Sequence, residues 1–74
     1  MNKATLEMTI RMLKNYDEMI RAKMETYADI MTDYLTDDSY LVTAKEYAEK
    51  YECARAKRQN IQICITELER EIAE

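Results

Sequence analysis

Glycine and proline are both absent from this chain of 74 residues. Those two residues supply most of the tight turns and helix stops in proteins, and glycine also builds the loops that hold phosphate groups. Their absence excludes a fold rich in turns and leaves no phosphate-binding or dinucleotide-binding loop to propose. The sequence therefore predicts a chain that is almost entirely helical.

Histidine is absent as well. Its absence removes the commonest general base and the commonest metal ligand from the chain. Carboxylates are numerous, but their spacing is typical of solvated helix faces rather than of a catalytic pair. We therefore expect a protein that is not an enzyme and that holds no cofactor and no metal.

Long uncharged runs are missing too. A helix that crosses a bilayer needs roughly 18 or more successive apolar residues, and the first residues lack the apolar stretch of a signal peptide. The sequence predicts a cytoplasmic protein without membrane contact.

The only two cysteines are Cys53 and Cys64, eleven residues apart in one predicted helix. At that spacing they lie about 16 Å apart along the helix axis. They cannot bridge each other or share one metal ion within that helix. We expect both to be small, partly buried apolar residues.

Apolar residues recur in two long stripes, at alternating spacings of three and four residues. This spacing is typical of helices that pack along one face. The first stripe consists of Leu6, Ile10, Leu13, Asp17, Ile20, Met24, Tyr27, Met31 and Tyr34. The second consists of Ala44, Tyr47, Tyr51, Ala54, Arg58, Ile61, Ile65, Leu68 and Ile72. They predict helices near residues 4–36 and 43–73.

The two stripes are out of register by one residue where they meet, and a continuous coiled coil does not absorb such a slip. The sequence there is rich in Thr, Asp and Ser, which favour caps and turns. Thr43 and Glu46 fit a capping box, with Val42 and Tyr47 as its hydrophobic staple. A connection near residues 37–42 is predicted.

Charge alternates in blocks along the chain. The blocks are basic over 1–14, acidic over 15–38, basic over 39–58 and acidic over 59–74. Folding the helices back antiparallel sets blocks of opposite sign side by side. It also brings Asp17 level with Arg58, the charged members of the two stripes, so we expect these two to pair and fix the register. The prediction is a single all-α domain over 1–74, an antiparallel two-helix hairpin resembling a coiled coil.

The first helix carries a second apolar strip beside its stripe. We call Met8, Met12, Tyr16 and Met19 the Met strip. One partner helix cannot cover an apolar surface this wide, and Ile63 and Cys64 add a surplus on the second helix. We expect a homodimer that forms a four-helix bundle, either from closed hairpins or from chains that exchange helices. The alternative for the strip is a docking face for another protein, and the two roles are compatible.

Two further surfaces are predicted at the turn end. Tyr34, Tyr40 and Tyr47 are expected to contact a protein target. A second set forms an acidic edge that would block a basic, nucleic-acid-binding site on a target. This set is Asp29, Asp33, Asp37 and Asp38.

Residues 43–51 resemble the first helix of helix-turn-helix modules such as those of excisionase-like proteins, and the resemblance extends to 43–61. It implies a DNA-binding accessory protein with Arg55 and Lys57 at phosphates. Glu52 stands where a turn glycine is expected, and pI 4.8 with a net charge of −4 opposes nucleic-acid binding. The main prediction is a regulatory protein that binds a protein target. DNA binding and a purely structural coiled-coil element are the alternatives.

Overall fold

The structure, a computed structural model, describes residues 1–34 and 41–74. These residues form two helices, α1 (Lys3–Tyr34) and α2 (Leu41–Ala73). The all-helical prediction is confirmed for the described residues, which contain no strand. Asp37, Asp38 and Tyr40 lie outside them, as does most of the predicted connection. Neither of the two helices holds a segment that is both long and apolar enough to cross a membrane.

The helices pack side by side in opposite directions. Near the start of α2, the Tyr47 ring lies 6.0 Å from that of Tyr27, in the last third of α1. At the other end, Ile72 lines a groove together with Ile10. The resulting molecule is a rod of 55 × 14 × 13 Å.

The core is the seam between the two helices. Its buried side chains are Leu6, Ile10, Ile20, Met24, Ala44, Ile61 and Ile65. Every member of both predicted stripes is buried or half-buried, so the stripe assignment is confirmed. Each helix, however, touches only one neighbour, and no side chain among the described residues is completely enclosed. The seam is therefore a thin core that shields one side of each helix.

Asn2 begins α1. Its side-chain Oδ1 accepts a hydrogen bond of 2.8 Å from the backbone N–H of Thr5, and its carbonyl accepts one of 3.1 Å from Leu6. An asparagine in this position satisfies a backbone donor that would otherwise lack a partner. The cap starts the helix at Lys3, one residue before the predicted boundary.

The capping box predicted at Thr43 is wrong. α2 already begins at Leu41, so Thr43 lies inside the first turn and cannot cap it. Val42 is 74% exposed and does not pack as a staple. Leucine favours helix more than threonine does, and nothing in the sequence stops the helix from extending back past Thr43.

The burial predicted for the two cysteines is also wrong, because Cys53 and Cys64 are both exposed. Each directly precedes a member of the second stripe, and one step along a helix rotates a side chain by about 100°. That rotation carries both thiols out of a seam formed by only two helices.

The helix-turn-helix resemblance of residues 43–61 is not matched by the backbone. These residues form one uninterrupted part of α2. At the expected turn, Glu52 accepts a hydrogen bond of 2.8 Å from the Arg55 guanidinium one helical turn later, a contact that favours helix. Within residues 43–61 there is no second helix set at an angle to the first, which is the arrangement that the resemblance implies.

We expect Ile61→Ala to lower the free energy of unfolding by about 2–4 kcal/mol, because Ile61 is buried in the seam. Ile63→Ala is the matched control, since Ile63 is 54% exposed on the same helix and should cost less than about 1 kcal/mol. Urea unfolding followed by circular dichroism measures both. Equal losses for the two variants would contradict the seam.

Candidate protein-binding face

A two-pronged ion pair joins the helices near their middle. Arg58 donates hydrogen bonds of 3.0 Å from Nε to Asp17 Oδ1 and of 3.0 Å from Nη2 to Oδ2. Both side chains are half-buried within the stripes. The contact expected between them is thus present, and its planar fork favours one alignment of the helices.

The guanidinium changes the acidity of its partner. Hydrogen bonds from Arg58 hold the pKa of the Asp17 carboxyl below its usual value, against the opposing effect of partial burial. Charge attraction from Arg58 and a contribution from Gln62 act in the same direction. Asp17 therefore stays ionised, and paired with Arg58, to a lower pH than an aspartate without this partner would.

Two other arginines find their partners within their own helix. Arg21 bonds Glu18 and Glu25, and Arg55 bonds Glu52 at 2.8 Å. These exposed pairs follow the i,i+3 and i,i+4 spacings that stabilise a helix slightly. Because these ion pairs lie within one helix, they do not join α1 to α2. The alternation of basic and acidic blocks is thus compatible with the antiparallel arrangement but is not its main support.

The tyrosines at the turn end pack against one another in the seam. The Tyr47 ring lies 6.0 Å from Tyr27 and 6.1 Å from Tyr34. Lys50 Nζ lies 4.8 Å from the centre of the Tyr47 ring, a cation–π contact. Tyr34 and Tyr47 are half-buried, so what remains for a partner is part of each ring. Tyr40 lies outside the described residues.

The Met strip is left uncovered by α2. Met12 is 62% exposed, Met19 60%, Met8 47% and Tyr16 41%. Helix geometry places these side chains along one flank of α1, beside the seam. Exposed apolar side chains are ordinary when scattered, but a continuous row of four large ones is typical of an interaction surface.

A groove between the helices adjoins the Met strip and has a volume of about 580 Å³. Tyr16 and Met19 belong to both features, and Cys53 faces them from α2. Charged side chains of both signs also line the groove, which we call the lysine groove after its three lysines. They are Lys23, Lys50 and Lys57, with Glu46 and Glu49. The binding face therefore combines an apolar floor with charged side chains, three basic and two acidic.

Lys57 crosses from α2 to α1 within this groove. Its Nζ lies 5.3 Å from the centre of the Tyr16 ring, and interaction with the Tyr16 hydroxyl raises the pKa of the Lys57 ammonium. Sequence reasoning assigned Lys57 to a phosphate-binding cluster and overlooked Lys23 and Lys50. The antiparallel alignment of the two helices could have identified them, because it sets all three lysines on the Met-strip side of the rod.

A second groove along the seam has a different character. It is lined largely by charged side chains, with Ile10 and Ile72 at its base. The charged members are Glu7, Arg11, Lys14 and Glu69. The exposed apolar surface of α1 is consequently one-sided.

Two members of the acidic edge can be placed. Asp29 and Asp33 are exposed near the end of α1, whereas Asp37 and Asp38 fall outside the described part of the chain. Across residues 1–34 and 41–74, no group of three or more acidic, cysteine or histidine side chains could hold a metal ion. The described acidic residues thus present a surface of charge.

Comparison with known proteins gives no relative for this chain. No protein-family model matches it, and neither a curated protein nor a solved structure is significantly similar. The surface of the molecule itself therefore provides the evidence for its function.

A double-mutant cycle should detect the ion pair in the seam. We expect Asp17→Ala and Arg58→Ala to be coupled by about 1 kcal/mol at neutral pH, because the pair is half-buried and two-pronged. Urea unfolding of the two single variants and the double variant measures the coupling. A double variant that costs as much as the two single changes summed would show that the pair contributes nothing.

The same coupling should depend on pH in one direction. Because folding lowers the pKa of Asp17, the stability from the pair is complete above the unfolded value, about 3.9. It is lost as the pH falls through the lower pKa of the folded state. In the Asp17→Ala variant, this part of the acid dependence should be absent.

Proposed function

We propose that this chain is a small, non-enzymatic regulatory protein that works by binding other protein surfaces, and that the Met strip is its principal binding surface. The observation that carries the proposal is the continuous exposure of Met8, Met12, Tyr16 and Met19 on one flank of α1. Thioether side chains are flexible and polarisable, so they adapt to an apolar partner. Tyr16 adds a ring of the kind that often anchors protein interfaces.

The thin core supports the need for a partner. A chain of 74 residues buries only about 60% of its unfolded surface when it folds alone. Here the seam leaves no side chain completely enclosed among the described residues. Covering the Met strip would remove apolar surface from water at roughly 25 cal/mol for each Å². Association and folding stability would therefore reinforce each other.

The partner that needs the fewest assumptions is a second copy. Two antiparallel pairs that pack through their Met strips would form a four-helix bundle with a wider core than either pair has alone. A dimer in which the chains exchange helices would contain the same contacts. A coiled-coil assembly element without a further target would bury the same surface.

In such a dimer, the turn end and the acidic edge would remain for a target. Asp29 and Asp33 carry exposed negative charge there, and parts of the Tyr34 and Tyr47 rings lie nearby. This combination suits a target whose basic site otherwise binds nucleic acid. The binding to such a target should weaken as salt is added.

A cytoplasmic location belongs to the same proposal. Cys53 and Cys64 are free and exposed, and exposed thiols persist as thiols in a reducing compartment. In an oxidising compartment, the same side chains would be prone to link chains together.

Light scattering on the reduced protein across a concentration series tests the proposal. We expect the mass of a dimer, and a shift to the mass of a monomer for Met12→Glu and Met19→Glu, because a buried carboxylate without a partner is costly. Lys14→Glu is the matched control. Lys14 is exposed on the same helix and lines the groove of charged side chains on the other side of the rod, so its variant should remain a dimer.

Two results would contradict the proposed self-association. One is a well-folded monomer at every concentration. The other is a dimer whose mass is unchanged in both Met→Glu variants, since the Met strip would then lie outside the interface.

A further inference from the structure

Charge reverses along a single line of α2 on the side of the Met strip. Four residues follow one another at intervals of seven on this line, so they occupy equivalent positions of a heptad. They are Lys50, Lys57, Cys64 and Glu71. Lys50 and Lys57 line the lysine groove. The line is thus basic toward the start of α2 and acidic toward its end.

The centre of this line coincides with the centre of the Met strip. The ion pair sets Asp17 level with Arg58, and each helix advances 1.5 Å per residue in opposite directions. Residues 14–15 of α1 therefore lie level with residues 60–61 of α2. The first range is the middle of the Met strip, and the second is the midpoint between Lys57 and Cys64. The Met strip of α1 and the line of four residues on α2 thus have their midpoints at the same level of the rod.

We propose that the Met strip is covered by a second copy, related to the first by a two-fold axis that crosses the rod at this centre, perpendicular to the helices. The inference rests on the proposed function and adds to it the orientation of the partner. The axis sets α1 along the partner's α1 and α2 along the partner's α2. Met12 then lies beside the partner's Tyr16, and Lys50 lies beside the partner's Glu71. The same contact recurs on the other side of the axis, as symmetry requires.

The other symmetric arrangement is disfavoured by charge. A two-fold axis parallel to the helices would keep every residue at its own level and set α2 along the partner's α1. Lys50 would then face the partner's Lys23, twice over, and Glu46 and Glu49 of the same groove would offset only part of this repulsion. Like charges at close range oppose association, and rim charges select orientation more than they add affinity. The perpendicular axis replaces this repulsion with two attractive pairs.

The size of the face is adequate for a stable dimer. A side of the rod measures 55 by 14 Å, so two copies packed along its full length would have a footprint close to the roughly 800 Å² per partner of ordinary specific interfaces. The apolar Met strip occupies its middle together with Lys57, which lies beside Tyr16, and Lys50 and Glu71 lie toward the two ends. Apart from Lys57, this is the usual anatomy of an interface, with an apolar centre and a polar rim.

Charge reversal tests the orientation. We expect Lys50→Glu to weaken dimerisation about five- to tenfold, because it places two carboxylates together at both symmetric contacts. The variant that combines Lys50→Glu with Glu71→Lys restores the pairing with signs exchanged and should recover most of the affinity. The dissociation constant is measured by sedimentation at low and high salt, and salt should reduce the differences. Tighter dimerisation of Lys50→Glu would overturn the inference, since only the parallel axis predicts it.

Disulfide trapping provides a second test that does not depend on charge. In a background with Cys53→Ala and Cys64→Ala, Asn60→Cys lies close to the proposed axis and should link to its own copy on mild oxidation. Lys23→Cys mixed with Lys50→Cys should not form a mixed disulfide. The opposite pattern in a dimer would overturn the orientation while leaving the proposed function in place. A monomer in light scattering would overturn the orientation and the proposed self-association together.

Discussion

The seam between α1 and α2 is the contact on which the rest of the molecule depends. It contains the seven apolar side chains that are buried among the described residues, and within it Arg58 pairs with Asp17 across the two helices. Apolar burial supplies most of the stability of such a structure. The ion pair contributes less energy, but a slide by one turn would separate its fork and leave a charge without its partner in a partly buried position. Stability and alignment thus come from different residues of the same seam.

A seam of two helices also determines what remains exposed. It covers one stripe on each helix, whereas α1 is apolar over a wider arc that includes the Met strip. Since the groove on the other side is lined largely by charge, the uncovered apolar surface of α1 lies on the side away from that groove. Lys23, Lys50 and Lys57 border this surface. The binding face that we propose is therefore a direct consequence of folding a broadly apolar helix against a single partner.

The fold could be predicted from the sequence because apolar residues recur at a regular spacing along most of the chain. The spacing of three and four residues identified every seam position, and the levels of Asp17 and Arg58 followed from it. Effects that depend on a few residues were less predictable. Thr43 had the chemistry of a cap but lies within α2, while the actual cap of α1, Asn2, was not recognised. The period likewise cannot show how many helices surround a face, which is why Cys53 and Cys64 were expected to be partly buried. For the same reason, it indicated an apolar surplus at the Met strip without identifying what covers it.

The most direct test of the account is an isotope-filtered NMR experiment on an equal mixture of labelled and unlabelled protein, observing the methionine methyl groups. The account predicts contacts between chains from the methyl groups of Met12 and Met19, and none from Met24, which is buried in the seam. In an equal mixture of reduced chains that exchange freely, half of the dimers contain one labelled and one unlabelled chain. A sample that is dimeric by light scattering but shows no contact between chains from Met12 or Met19 would contradict the assignment of the Met strip as the binding surface.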